Sequence, residues 1–304
     1  MEHRRVRRAT ELRTTCERDA RGTRIIGLLV AGAAFALLCA CTGGRAPASS
    51  TEVASASANT TSVDSSVPSS ATAVAVTPRP SQHHVVAISA GHGGPNNVGA
   101  VHHDRSGSVD LIEKDLNLDI ARRLDALLRA DGFETVLVRD CDCSVSPEGG
   151  AETPEQIRAE SQARSDIGNA AGAEVLVVIH HNGSEEPLLA GTEVYYNPER
   201  AFGDKSRKLA YAIHDGLIAS LRGLPYAVSD RGVKDDAAIG GRYGQPHTFL
   251  FGAAPGFRAT QMPAALGEAL FVSNDTEAAL LRRDDVKQRI ALGYRDGIES
   301  YFSQ

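Results

Sequence analysis

Residues 83–304 predict an α/β fold in three layers, a mostly parallel twisted sheet with helices on both faces. Short apolar runs of strand length alternate along this stretch with longer segments of helical periodicity. The clearest run, Val175 to Ile179, is apolar without interruption, as a strand buried on both faces is. A helix start is written in Thr153-Pro154-Glu155-Gln156, a capping box with proline at the first helical position.

Val85-Val86-Ala87-Ile88 is the first strand and ends in Ala90-Gly91. Lys114 to Ala130 places Leu116, Ile120, Leu124, Leu127 and Leu128 on one helical face, with Gly132 as the C-terminal cap. Phe133 to Val138 is the second strand, and the capped helix then runs to about Ala171. Val175 to Ile179 is the third strand. Thr192 to Tyr196 alternates as a strand near a sheet edge. Helices follow over about 201–221, 276–282 and 285–302, with a late strand from Ala264 to Val272. The glycine-rich stretch between Lys234 and Met262, with Asp235, Asp236, Arg242 and Tyr243, predicts no regular element. A lid over a cleft, a substrate loop or an activator surface would suit it.

The chain has 304 residues, 42% hydrophobic and 23% charged, which excludes collagenous, wholly disordered and polytopic membrane proteins. Its formal charge is −6. Residues 1–40 hold 8 of the 32 basic but 4 of the 38 acidic side chains, so the remainder carries −10. That acidity argues against a nucleic-acid partner.

Residues 1–41 read as a lipoprotein-type signal peptide. Arg4, Arg5, Arg7, Arg8, Arg21 and Arg24 form a basic start, and Ile25 to Ala40 is an uncharged apolar run of 16 residues. Bilayer-spanning helices want about 20, so the run is nearer a signal core. It ends in Leu38-Cys39-Ala40-Cys41-Thr42-Gly43, which resembles a bacterial lipobox with Cys41 as the lipidated residue. Cys39 departs from that pattern, where a small non-thiol residue is usual. An uncleaved anchor is the alternative, and both readings put the rest of the chain outside the cytoplasmic membrane, on its outer face or in the wall. Residues 42–82 are Ser, Thr, Ala, Val and Pro with almost no charge. They cannot bury enough apolar area to offset ordering, which predicts a disordered tether. Of the five cysteines, Cys141 and Cys143 alone remain in the body. A lone Cys-x-Cys offers too few thiolates for a metal, and neighbours two apart strain a disulfide, so loop thiols or a local structural bridge are expected.

Three candidate metal ligands sit at strand ends or the loops after them, where α/β folds place function. His92 follows the first strand in Gly91-His92-Gly93-Gly94; Glu113 opens the amphipathic helix; His180 ends the buried strand in Ile179-His180-His181-Asn182. Two imidazoles and a carboxylate form a catalytic zinc set that leaves a fourth position to water. Asn117, four residues after Glu113, can orient its carboxylate. Each residue also has a bland reading, as a loop histidine or a glutamate favoured by the helix dipole. His180 and His181 point to opposite faces of a strand, so at most one meets a given metal.

Six ordered motifs resemble the zinc-dependent N-acetylmuramoyl-L-alanine amidases often called amidase type 3. They are Gly-His-Gly-Gly at 91–94, Glu-Lys-Asp-x-Asn at 113–117, Ile-His-x-Asn at 179–182, Gly-Thr-Glu-Val-Tyr-Tyr at 191–196, Arg-Gly-Val-Lys at 231–234 and Pro-Ala-x-Leu-x-Glu-x-x-Phe-x-Ser-Asn at 263–274. The resemblance covers roughly residues 84–302. It implies that His92, Glu113 and His180 bind Zn2+, that Glu268 is the catalytic carboxylate, and that His180 rather than His181 is the ligand. It implies a peptidoglycan hydrolase that cuts the amide between muramic acid and the L-alanine of the stem peptide, and a monomer is expected. Three positions depart from the family pattern: Ser89 for a usual Asp, Gly267 for a common Val, and Leu270 for a usual Gly. A non-catalytic zinc-holding wall-binding module, which would not need Glu268, and a zinc peptidase acting within the stem peptide are the alternatives. His83, His84, His102, His103, His181, His214 and His247 are expected to be solvated or structural.

Overall fold

The computed structural model describes residues 83–304 apart from 152, 241–245 and 252–255. The signal peptide, the tether and Cys41 lie outside these residues, as do Arg242 and Tyr243. The strands are β1 (Val85–Ala90), β2 (Val101–His103), β3 (Val109–Ile112), β4 (Glu134–Leu137), β5 (Val175–Asn182), β6 (Thr192–Tyr196), β7 (Asp230–Asp235) and β8 (Ala264–Phe271). The helices are α1 (Glu113–Ala130), α2 (Pro154–Ala171), α3 (Gly203–Leu221), α4 (Asp275–Leu281) and α5 (Asp284–Phe302). Six strands form one sheet in the order β4-β1-β5-β8-β6-β7. Neighbours are parallel except β6 and β8, which run antiparallel.

The period of two along each central strand builds two cores. Val86, Ile88 and Ala90 of β1 and Val175, Val177 and Ile179 of β5 face the side carrying α1, α3 and α5. Ala87, Leu176 and Val178 face the other, where α2, Leu250, Phe251 and Met262 cover the sheet. Each buried leucine or isoleucine side chain contributes about 1.5–3 kcal/mol, so this double burial sets which way every residue of β5 points.

All the predicted strands and helices are present. The Thr153–Gln156 capping box forms with both reciprocal hydrogen bonds, and Gly132 takes a φ of 89° just after the α1 cap. Strand β5 continues past Ile179 to Asn182, carrying both histidines within the ladder. The β2–β3 hairpin and β7 are additions. The hairpin strands are only three and four residues long and β7 is mostly polar, so neither forms an apolar run of strand length, which an edge strand such as β7 does not require. At the opposite pole from the C-terminus of β1, His84 stacks on Phe302 with ring centroids 4.0 Å apart, so the start of β1 and the end of α5 are neighbours.

Leu270 shows how the chain accommodates a departure from the motif pattern it resembles. The ladder between β5 and β8 slips between His180 and Asn182, and Leu270 takes a left-handed φ of 71° at that bulge. A left-handed leucine costs about 1–2 kcal/mol, while its fully buried side chain returns a similar amount. Replacing a buried leucine by alanine ordinarily costs about 2–5 kcal/mol, and glycine is ordinarily worse than alanine. Here alanine keeps the strain and glycine removes it. Chemical denaturation should therefore find Leu270→Gly at least as stable as Leu270→Ala, the reverse of the usual order.

Candidate metal centre

The centre is organised by the first residue of α1. Glu113 is 3% exposed, and each of its oxygens is matched. Oε1 accepts from His180 Nδ1 at 2.9 Å, Asn117 Nδ2 at 3.2 Å and the His181 backbone N–H at 3.2 Å. Oε2 accepts from the Ala100 N–H at 2.8 Å and lies 3.0 Å from His92 Nε2. The three expected ligands thus converge, with one ligand atom of each within 4.8 Å of the others.

Glycines make this approach available. A Cβ on Gly91 would lie 2.3 Å from His180 Nε2, and one on Gly99 would lie 2.4 Å from Glu113 Oε2. His92 itself adopts a φ of 58°, and its Nδ1 meets Asn97 Oδ1 at 2.7 Å. Two buried guanidinium groups hold the turn beneath it. Arg139 donates to the carbonyls of Ala90 and Gly91, and Arg164 to those of Ala90 and His92. Burial pushes Arg139 down to about 10. Arg164 also donates to Ser89 Oγ at 3.0 Å and pairs with Glu160 at 2.8 Å. The anion that an aspartate at position 89 would offer is therefore supplied one helical turn before Arg164, by Glu160.

The electrostatics separate the groups. Burial opposes charge on His92, but the adjacent Glu113 outweighs it and leaves the imidazole above its ordinary value. Burial dominates at His180, which is lowered. Glu113 is held well below the carboxylate range: burial pushes it up, and the two imidazoles overcome that. His181 points to the opposite face, donates from Nδ1 to Asn117 Oδ1 at 2.8 Å, and is pushed down to about 4 by burial. It is a buried structural residue, and through Asn117 it steadies Glu113.

Glu268 lies on the ligand face. It pairs with His180 across β5–β8 and with Glu193 across β8–β6, so the three side chains form a row over adjacent strands. Its Oε2 is buried with no hydrogen-bond partner among the described residues. Burial first, then the negative charges of Glu113 and Glu193, raise it well above the usual carboxylate range. Glu193 is the contrasting member. It accepts from Arg231 at 2.9 Å, from Lys234, and from Asn182 at 3.0 Å; burial pushes it up, and the hydrogen bonds from Lys234, Tyr195 and Arg231 overcome that and lower it. Neighbouring carboxylates pushed apart in this way are the pattern of an acid–base site. The sequence named motifs at 191–196 and 231–234 without giving them a role; here they meet at Glu193. Gly267 is explained as well, since a Cβ there would lie 2.3 Å from the Tyr294 hydroxyl, which donates to the Gly267 carbonyl at 3.0 Å.

His92, Glu113, His180 and Glu268 line a cleft of about 970 Å³. Its far wall includes Ile239, His247, Thr248, Phe249 and Leu250, from the stretch that sequence left unassigned. That wall is pinned by fully buried Asp236, which bonds His247 Nδ1 at 2.5 Å and accepts from the Thr248 N–H and hydroxyl at 3.0 Å. Cys141 and Cys143 form a disulfide, the second of the two expected outcomes.

Residues 86–300 match the sequence profile of the family described as N-acetylmuramoyl-L-alanine amidase. The chain belongs to this amidase family. Among its relatives is the N-acetylmuramoyl-L-alanine amidase LytC of Bacillus subtilis, 29% identical over 192 residues, which are 63% of this chain and 32% of LytC. The catalytic domain of CwlV, an N-acetylmuramoyl-L-alanine amidase from Bacillus (Paenibacillus) polymyxa var. colistinus, is 29% identical with a TM-score of 0.53, over 72% of this chain and 98% of that domain. CwlD amidase from Clostridioides difficile, solved in complex with the GerS lipoprotein, is 25% identical with a TM-score of 0.55, over 72% and 98%. Membership makes this chain a hydrolase of the peptidoglycan amidase class.

Gly91→Ala should push His180 out of line while leaving the sheet intact. Displaced positioning contacts typically cost about 10–100-fold in metal affinity. Equilibrium dialysis against zinc should show that loss, with an unchanged circular dichroism spectrum.

Proposed function

We propose that this protein hydrolyses the amide bond between N-acetylmuramic acid and the L-alanine of the stem peptide, with zinc held by His92, Glu113 and His180 and Glu268 as the general base. The observation that carries the reading is Glu268: a buried carboxylate oxygen without a partner, beside His180 and on the ligand face of the sheet. A wall-binding module would have no use for such a group.

The donor set fits zinc. Two imidazole nitrogens and one carboxylate oxygen are within reach of one ion, the carboxylate is ionised, and the glycine cradles leave no room for a bulkier first turn. When bound, zinc supplies an acidified water and a Lewis acid for the substrate carbonyl. Glu268 takes the proton as water attacks. Its raised affinity for protons makes it a stronger base than an exposed glutamate, and the same proton is then returned to the departing amine of L-alanine. Glu193, held ionised by Arg231 and Lys234, keeps that affinity high. Asn117 and His181 fix Glu113 from the opposite side of the strand. The reading extends to the N-terminus: a signal peptide over 1–41, lipid on Cys41 and a tether over 42–82 hold a monomeric catalytic domain at the outer face of the membrane, within reach of the wall.

Glu268→Gln should retain zinc and fold but lose about 10²–10⁴-fold in rate. Mass spectrometry of digested wall should show intact muramic acid and a free N-terminal L-alanine; cuts within the stem peptide would establish a peptidase instead. His92→Ala or His180→Ala should strip most of the zinc. Since a ligand must shed its proton, zinc retention should fall as pH drops, beginning above the ordinary imidazole range because His92 is raised. Cys41→Ser should move the protein out of the membrane fraction; unchanged fractionation would remove the lipid anchor from this reading.

A further inference from the structure

The Cys141–Cys143 bridge lies directly behind the turn that carries His92. A Cβ on Gly93 would be 2.4 Å from the Cys143 carbonyl, and one on Gly94 would be 3.1 Å from the Ser144 nitrogen. Between the two cysteines, Asp142 reaches back into this turn. Its Oδ1 accepts from the Gly94 N–H at 2.8 Å and its Oδ2 from Lys114 Nζ at 2.6 Å. Lys114 also donates to the Gly94 carbonyl at 3.1 Å, and it is the neighbour of Glu113 in α1. Arg139 closes the knot, donating to the carbonyls of Cys141, Gly91 and Lys114.

Two points follow from these contacts. Lys114 is buried with a charge, and a buried ammonium is costly unless it is paired; Asp142 is the carboxylate that pairs it. The side chain of Asp142 is itself 47% exposed, so burial does not hold it in place. The disulfide does, by closing Cys-Asp-Cys into a small ring in which Asp142 has little freedom left to lose. One carboxylate then ties the loop after β4 both to the His92 turn and to the first turn of the helix that presents Glu113.

We infer that Asp142 is a positioning residue for the metal centre, and that the Cys141–Cys143 disulfide, by presenting it, makes zinc affinity depend on the redox state of this pair. The inference rests on the proposed zinc site. Reduction by a trialkylphosphine breaks the S–S bond and yields two thiols, while the phosphine gains the oxygen of one water as phosphine oxide. Asp142 is then released, and the His92 turn and Lys114 lose their common partner.

The test measures zinc dissociation constants of the full chain by competition with a chromophoric chelator. Asp142→Ala should weaken zinc about tenfold or more, as loss of contacts behind a ligand typically does. Asp142→Asn, which keeps an acceptor for Gly94 but not the charge, should fall between. The double substitution C141S/C143S, or phosphine treatment of the folded parent should the double variant not fold, should weaken zinc severalfold. In an Asp142→Ala background the same treatment should change little, because both act along one route. Leu128→Ala, a core truncation near the far end of α1, controls for general loss of stability and should leave zinc affinity unchanged. The inference is overturned if Asp142→Ala binds zinc within twofold of the parent, if Leu128→Ala weakens zinc as much, or if reduction weakens zinc equally with and without Asp142. A parent chain that binds no zinc would instead overturn the proposed metal site.

Discussion

Taking a carboxylate out of water costs several kcal/mol unless hydrogen bonds and opposite charge replace its hydration. Glu113 meets that demand with four donors, from the segment before β2, its own helix one turn on, and the side chain and backbone at the end of β5, and with the His92 imidazole 3.0 Å away. Each donor is a constraint on the fold. Strand β1 must end beside β5, α1 must begin where both end, and glycine must stand at 91 and 99 so that rings and carboxylate can approach. The double burial of β5 does the rest. It aims His180 and His181 to opposite faces, so one histidine joins His92 and Glu113 and the other braces Asn117.

The departures from the family pattern are each compensated locally. Ser89 leaves Arg164 without an aspartate, and Glu160 on the same helix supplies the charge. Gly267 yields its side-chain volume to the ring of Tyr294, which returns a hydrogen bond to the strand. Leu270 takes the strained backbone of a bulge and offsets it by burial. None of the three is itself one of the converging residues: Ser89 meets Arg164, Gly267 adjoins Glu268, and Leu270 is two positions past it.

Much of the fold was legible because its signals are local. Apolar runs, helical stripes and the 153–156 capping box depend on neighbours within a few residues, and the strands and helices they predict are present. That His92, Glu113 and His180 converge was legible because motif spacing and strand ends mark them. Other parts were hidden because they arise from pairing at a distance. Nothing in Asp230–Asp235 announces a strand until β6 lies beside it, and nothing in Glu193 shows that Arg231 and Lys234 will hold its charge. The cleft wall at 247–250 owes its place to Asp236, eleven residues before His247, a link that no periodicity records. The role of His181 as a brace needed Asn117, on another element, to be seen beside it.

The stacking of His84 on Phe302 has a geometric consequence. Strand β1 runs from that contact towards Ala90 and the cleft, a path of six residues or about 20 Å. The described body therefore begins and closes at the pole of the sheet opposite the cleft. The residues that line the cleft stand apart from both ends of that body, and the contact of His84 with Phe302 involves none of them.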